Sequence, residues 1–321
     1  MDSVTTVPPM QIKLRALLSV YVVVPLCLSI VVADQLFWGA RVKAFLPQTP
    51  NSLFLFVLLF ATPHILASFF SFADKEYLVF YKKKLLFEVL PLMALSAFIV
   101  WYSFSLSFIV FVVYTEYHQI AQQIGMGRFY FKTRLPEYAW WRAIMVALAT
   151  IGYGLAYQGS LFSEQFGKSV MVPFGLVLSV PFLLLSFSMY RRLVTREGRQ
   201  YFGVLMASYV SVVLMLFVGY PIFTVFCTRF AHDVPAFMAY IMHDHNRQHS
   251  EGSNWLYRLL ATTRLPIVIL SPVLAVVLGY MIYRIPIFFA SIGFLLGMLH
   301  YFVEGFIWKH GSIHRRYLHF V

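Results

Sequence analysis

The sequence predicts an all-α fold, a polytopic transmembrane bundle of about ten helices with both termini cytoplasmic. Three observations carry this. Of 321 residues, 60% are hydrophobic and only 12% charged, with a mean hydropathy of +0.74, which no soluble globular domain of this length has. The apolar residues gather in windows of about 20, the length needed to cross the hydrocarbon core. The basic residues lie in short blocks between those windows.

The windows fall at 14–33, 52–72, 85–104, 106–124, 141–158, 169–190, 202–219, 222–246, 265–283 and 287–308. The first follows Lys13 and Arg15 and is too long for the apolar region of a signal peptide, so it reads as an uncleaved helix. Lys82, Lys83 and Lys84 precede the third, and Arg191 and Arg192 close the sixth, as topology anchors. The stretch Gly125-Met-Gly127 reads as a helix C-terminal turn after the fourth. The eighth contains Arg229, His232, Asp233 and Pro235, composition that also suits a re-entrant segment. With ten crossings and the N-terminus inside, twenty of the 25 Lys and Arg are cytoplasmic, leaving Arg41, Lys43, Lys168, Arg229 and Arg284 outside. That bias favours a crossing by the eighth segment. Neither polar stretch, 125–140 or 246–264, holds a core of its own, so residues 1–321 read as a single integral membrane domain. A bacterial inner membrane is the expected location.

Net charge of +12 is explained by the topology blocks, and no nucleic-acid role follows. Cys27 and Cys227 match no metal or redox spacing and read as small buried hydrophobes. No nucleophile elbow, phosphate loop or HExxH is present, which leaves serine-hydrolase and nucleotide-driven readings without support.

The chemistry lies in histidines. His64, His118, His232 and His300 fall inside apolar windows, about 10 to 13 residues from each start, depths that agree to about one helical turn. Ionisable groups in a bilayer are expensive, so several at one depth point to a site. Residues four apart share a helix face. His300 therefore has Glu304 beside it, and His118 has Gln122; Glu116 precedes His118, and Asp233 adjoins His232. His232, Ala236, Tyr240 and His243 form one stripe, and His243 is a fifth candidate ligand. The metal-ligand set is thus His64, His118, His232, His243 and His300. Glu116, Asp233 and Glu304 are candidate catalytic or ligand-orienting carboxylates. Imidazoles with one or two carboxylates suit iron, zinc or copper. Iron is expected, because a hydrolytic zinc site deep in lipid would also need a water path. His245, Arg247 and His249 read as an interfacial cap, and His310, His314 and His319 as a headgroup-facing tail. Trp101, Trp140, Trp141, Trp255 and Trp308 read as an aromatic belt.

Isolated histidines spread over several membrane helices resemble the bacterial and archaeal integral-membrane β-carotene dioxygenases of the bacteriorhodopsin-related-protein type. The positions carrying the resemblance are His64, His118, His232 or His243, and His300. It implies bound iron and oxidative cleavage of an isoprenoid or other lipid. Membrane desaturases and hydroxylases resemble the chain in being histidine-rich, but His243-Asp-His245 is not one of their boxes. The expected function is a membrane metal-dependent oxygenase or oxidoreductase whose partners are the bilayer and a hydrophobic small molecule. The alternatives are a metal-ion or proton-coupled transporter and a bis-histidine haem protein.

Overall fold

The computed structural model describes residues 8–47, 54–157, 163–251, 254–284 and 288–321. Among the described residues the regular structure is helical, with two isolated β-bridges and no strand. The helices are α1 (Leu14–Leu36), α2 (Arg41–Phe45), α3 (Val57–Ala73), α4 (Lys75–Tyr102), α5 (Phe104–Phe131) and α6 (Tyr138–Ala156). They continue with α7 (Gly167–Arg192), α8 (Arg196–Phe217), α9 (Pro221–Glu251), α10 (Trp255–Thr263), α11 (Ile267–Tyr283) and α12 (Phe288–Ile307). Five of these, α1, α4, α6, α7 and α8, are long and apolar enough to cross a membrane. A sixth span results if α10 and α11, bent by 100°, count as one. The chain reads as an integral membrane protein, and the described residues of the ten windows are mostly helical.

Prolines shape these helices. Wide π-helical turns at Val57–Ala61, Leu85–Val89 and Gly167–Met171 stand just upstream of Pro63, Pro91 and Pro173. A proline ring collides with the carbonyl four residues back and supplies no N–H, and a widened turn relieves both defects. In α1 the same collision of Pro25 with residue 21 accounts for the break at Tyr21–Val22.

Several boundaries differ from expectation. α4 begins at Lys75, because Asp74 caps it by accepting from the Glu76 N–H at 2.9 Å, so the lysine triplet lies within a helix. α5 runs through Gly125 and Gly127 to Phe131, so no turn forms there. Gly127 instead lets Tyr201 approach: a Cβ at Gly127 would stand 2.8 Å from the Tyr201 ring. α9 is continuous through Pro235 and extends to Glu251.

The chain divides into two compact units interleaved in sequence. Unit 1 comprises 1–13, 55–111 and 233–321, and unit 2 comprises 14–54 and 112–232. The divisions fall within α5, after Phe111, and within α9, after His232.

Unit 1 packs α3 on α11, where the Thr62 methyl sits 3.3 Å from where a Gly279 Cβ would be. Its cores join Ala67, Phe70, Tyr240 and Leu270, and Tyr77, Tyr81, Phe306 and Ile313. The N-terminal segment pairs with the C-terminal one, as Ile12 N–H donates to the His319 carbonyl and Val321 N–H to that of Ile12. In unit 2 a core of Val24, Cys27, Val212, Met215 and Cys227 ties α1, α8 and α9. Asp34 accepts from the Val42 and Lys43 N–H groups at 2.9 Å and from the Tyr220 hydroxyl at 2.7 Å, fixing α2. Trp141 is buried and donates to Ser186 Oγ at 2.8 Å, so it is a packing residue and no part of an interfacial belt. Large apolar side chains such as Leu176, Val177 and Leu184 remain exposed on α7, as a lipid-facing helix requires.

Candidate metal centre

In unit 1, His64 on α3, Asp233 on α9 and His300 on α12 are brought together, all buried. The π turn ahead of Pro63 sets where His64 points. Its Nδ1 lies 3.3 Å from the Phe60 carbonyl oxygen and 3.3 Å from Asp233 Oδ1. Carbonyl and carboxylate oxygens only accept, so a neutral His64 carries its proton on Nδ1. Nε2 is then the lone-pair nitrogen.

The same logic fixes His300. Ser68 Oγ donates its one proton to the Ile65 carbonyl at 2.6 Å, so His300 Nδ1, 3.0 Å from Ser68 Oγ, must be the donor in that pair. Here too Nε2 bears the lone pair. The rings meet edge to face, centroids 5.0 Å apart. Ligand atoms of the two imidazoles lie within 4.8 Å of one another. Two nitrogens on one ion at bonds near 2.1 Å stand at most about 4.2 Å apart, so a small side-chain adjustment would bring both onto a metal. Glu304, one turn beyond His300, offers a carboxylate within 4.8 Å of it and accepts from Trp308 Nε1 at 3.0 Å.

Unit 2 contains a second pair. His118 on α5 and His232 on α9, both buried, also meet edge to face with centroids 5.0 Å apart. Glu116 lies in this unit within electrostatic range of Arg229, a residue expected in an outer segment.

His243 belongs to a different cluster, in unit 1. Its Nε2 is 2.9 Å from the Tyr77 hydroxyl and its Nδ1 2.9 Å from Asp244 Oδ1, so both ring nitrogens are engaged. Tyr257 hydrogen-bonds the other Asp244 oxygen. His314 stacks on Tyr77 at 4.0 Å and on His243 at 4.8 Å, with ring nitrogens near Tyr81 and Ser71. His314 is therefore buried, not headgroup-facing. Arg247 is likewise buried, held by Asp74, Glu76 and the Tyr317 hydroxyl rather than lipid phosphate. His249 and His310 are exposed, as an interfacial reading requires.

Ser68 and Asp244 were not singled out in the sequence, and Trp308 read only as part of an aromatic belt. Ser68 follows His64 by four residues and so shares its face, but its partner is 232 positions away and no spacing reveals it. Nδ1 anchored to oxygen with Nε2 as donor is the second-sphere arrangement of metal-binding histidines, and carboxylates nearby suit a first-row transition metal. No family model, curated protein or solved structure matches this chain.

Proposed function

We propose that this chain is a membrane-embedded, metal-dependent oxidoreductase or oxygenase acting on a lipid or isoprenoid, with iron as its metal and His64 and His300 at the binding core. The observation that carries the reading is the anchoring of both Nδ1 atoms to oxygen, which orients two Nε2 donors in one buried place. Asp233 raises the basicity of His64, and Glu304 is the adjacent carboxylate. The His118–His232 pair offers two further imidazoles in unit 2. Bound iron would supply one-electron and oxygen chemistry. The protein side would hold the ligands, exclude water through burial, and move a proton at the Glu304 carboxyl. Edge-to-face contact leaves no gap for a porphyrin between the rings of either pair, which argues against the haem alternative. The ten-crossing topology with both termini inside a bacterial inner membrane belongs to the same proposal, and rests on the charge bias.

The test is elemental analysis by plasma mass spectrometry, with an optical spectrum, on detergent-purified wild type and a His64→Ala/His300→Ala variant. Stoichiometric iron in the wild type, lost in the variant, is expected. Metal-free wild type after iron-replete expression would overturn the proposal and move transport to the front.

A further inference from the structure

Unit 2 encloses part of a cavity of about 270 Å³ between α5, α6, α7, α8 and α9. Small residues on one face of α6, Ala149, Gly152 and Ala156, make the hollow. The walls are mostly apolar, with Tyr153, Ser179, Tyr209, Thr224 and Thr228 as scattered hydroxyl-bearing residues. Glu116, Gln119 and Gln123, spaced to share a face of α5, form a polar stripe along one side. Exposed Leu176, Leu183, Val213 and Phe217 also line it, so its mouth opens through side chains that face hydrocarbon.

The stripe has a definite chemistry. The Tyr209 hydroxyl donates to Gln123 Oε1, which leaves the Gln123 amide N–H groups as what this side chain offers a ligand. Gln119 adds donors and an acceptor. A carboxylate head would face Glu116, and an ammonium head would come within range of Arg229, which already acts on Glu116. A neutral oxygen satisfies the stripe without either conflict. The volume sits at the small end of ligand cavities, which suits one chain and excludes a two-chain phospholipid.

We propose that this cavity binds a single-chain amphiphile whose one polar group is a hydroxyl or carbonyl. The oxygen accepts from Gln119 and Gln123, and the chain lies along α6, α7 and α8. The ligand enters sideways from the bilayer. Among the described residues no histidine lines this cavity, so binding is independent of whether His64 and His300 hold a metal.

Radiolabelled decanol binding to the full chain in nanodiscs, with metal retained or chelated, tests this. Saturable binding is expected in both states, displaced by decanal and unlabelled decanol but not by decane or decanoate. Gly152→Leu and Ala149→Leu, which fill the hollow, should each abolish it, and Gln119→Leu should weaken it at least about tenfold. Two variants guard against one failing to fold, with thermal unfolding as the check. Undiminished binding to the filled variants, or equal competition by decane or decanoate, would overturn the proposal.

Discussion

His300 Nδ1 donates to Ser68 Oγ across 3.0 Å, and the serine's own proton goes to the Ile65 carbonyl. The direction of that bond fixes the imidazole tautomer. Ser68→Ala removes the acceptor and lets His300 rotate or exchange tautomers. Metal affinity, read by competition with a chromophoric chelator, should fall about 10- to 100-fold while the fold persists. Unchanged affinity would mean that His300 is not a ligand.

Burial, reinforced by the nearby His243 and Arg247, holds His314 well below the ordinary imidazole value. Tyr77 and Tyr81 of α4, Ser71 of α3 and Trp308 complete its surroundings. The unfolded chain takes up a proton near pH 6.5 and the folded one does not. Stability contributed by the neutral ring is therefore complete above that pH and drains away as pH falls below it. Thermal unfolding from pH 7.5 to 5 should show this slope, and His314→Asn should flatten it.

Gly125 and Gly127 make a matched pair on α5. A Cβ at Gly125 meets nothing within 4 Å, whereas one at Gly127 meets Phe131 and Tyr201. Gly125→Ala should raise stability by up to about 1 kcal/mol through helix propensity. Gly127→Ala should lower it by about 1–3 kcal/mol through overpacking. Thermal unfolding in one detergent compares them directly.

Cys27 and Cys227 share a core between α1 and α9, where the Cys227 thiol donates to the Val23 carbonyl at 3.9 Å. Copper–phenanthroline oxidation should join them, so that a chain cut once between α1 and α9 stays together on a non-reducing gel. Cys27→Ser should abolish the link. Failure to cross-link would place the sulfurs too far apart.

Helix content was legible because apolar windows of membrane length carry their own signal. Shared depth put His64, His118, His232 and His300 in one expected site, but depth alone could not say which helices are neighbours, and Asp233, read beside His232, lies against His64. What escaped was set by long-range partners. Arg247 looked like a lipid anchor because its carboxylate partners lie 171 and 173 positions away. His314 looked like tail because Tyr77, on which it stacks, belongs to α4. The cysteines had no spacing pattern to betray them, since Cys27 and Cys227 lie 200 positions apart in the chain. Gly127 read as a terminator because glycine's lack of a side chain serves turns and close packing alike.

The wide turn at Val57–Ala61 is one residue of slack in a helix that otherwise advances about 100° per residue. Take up that slack, and every side chain beyond it swings by roughly that angle. His64 is three residues past the turn, beside the proline that created it. Its aim at Asp233 and His300 is therefore a phase setting of the backbone, and Pro63 is the residue that holds the setting.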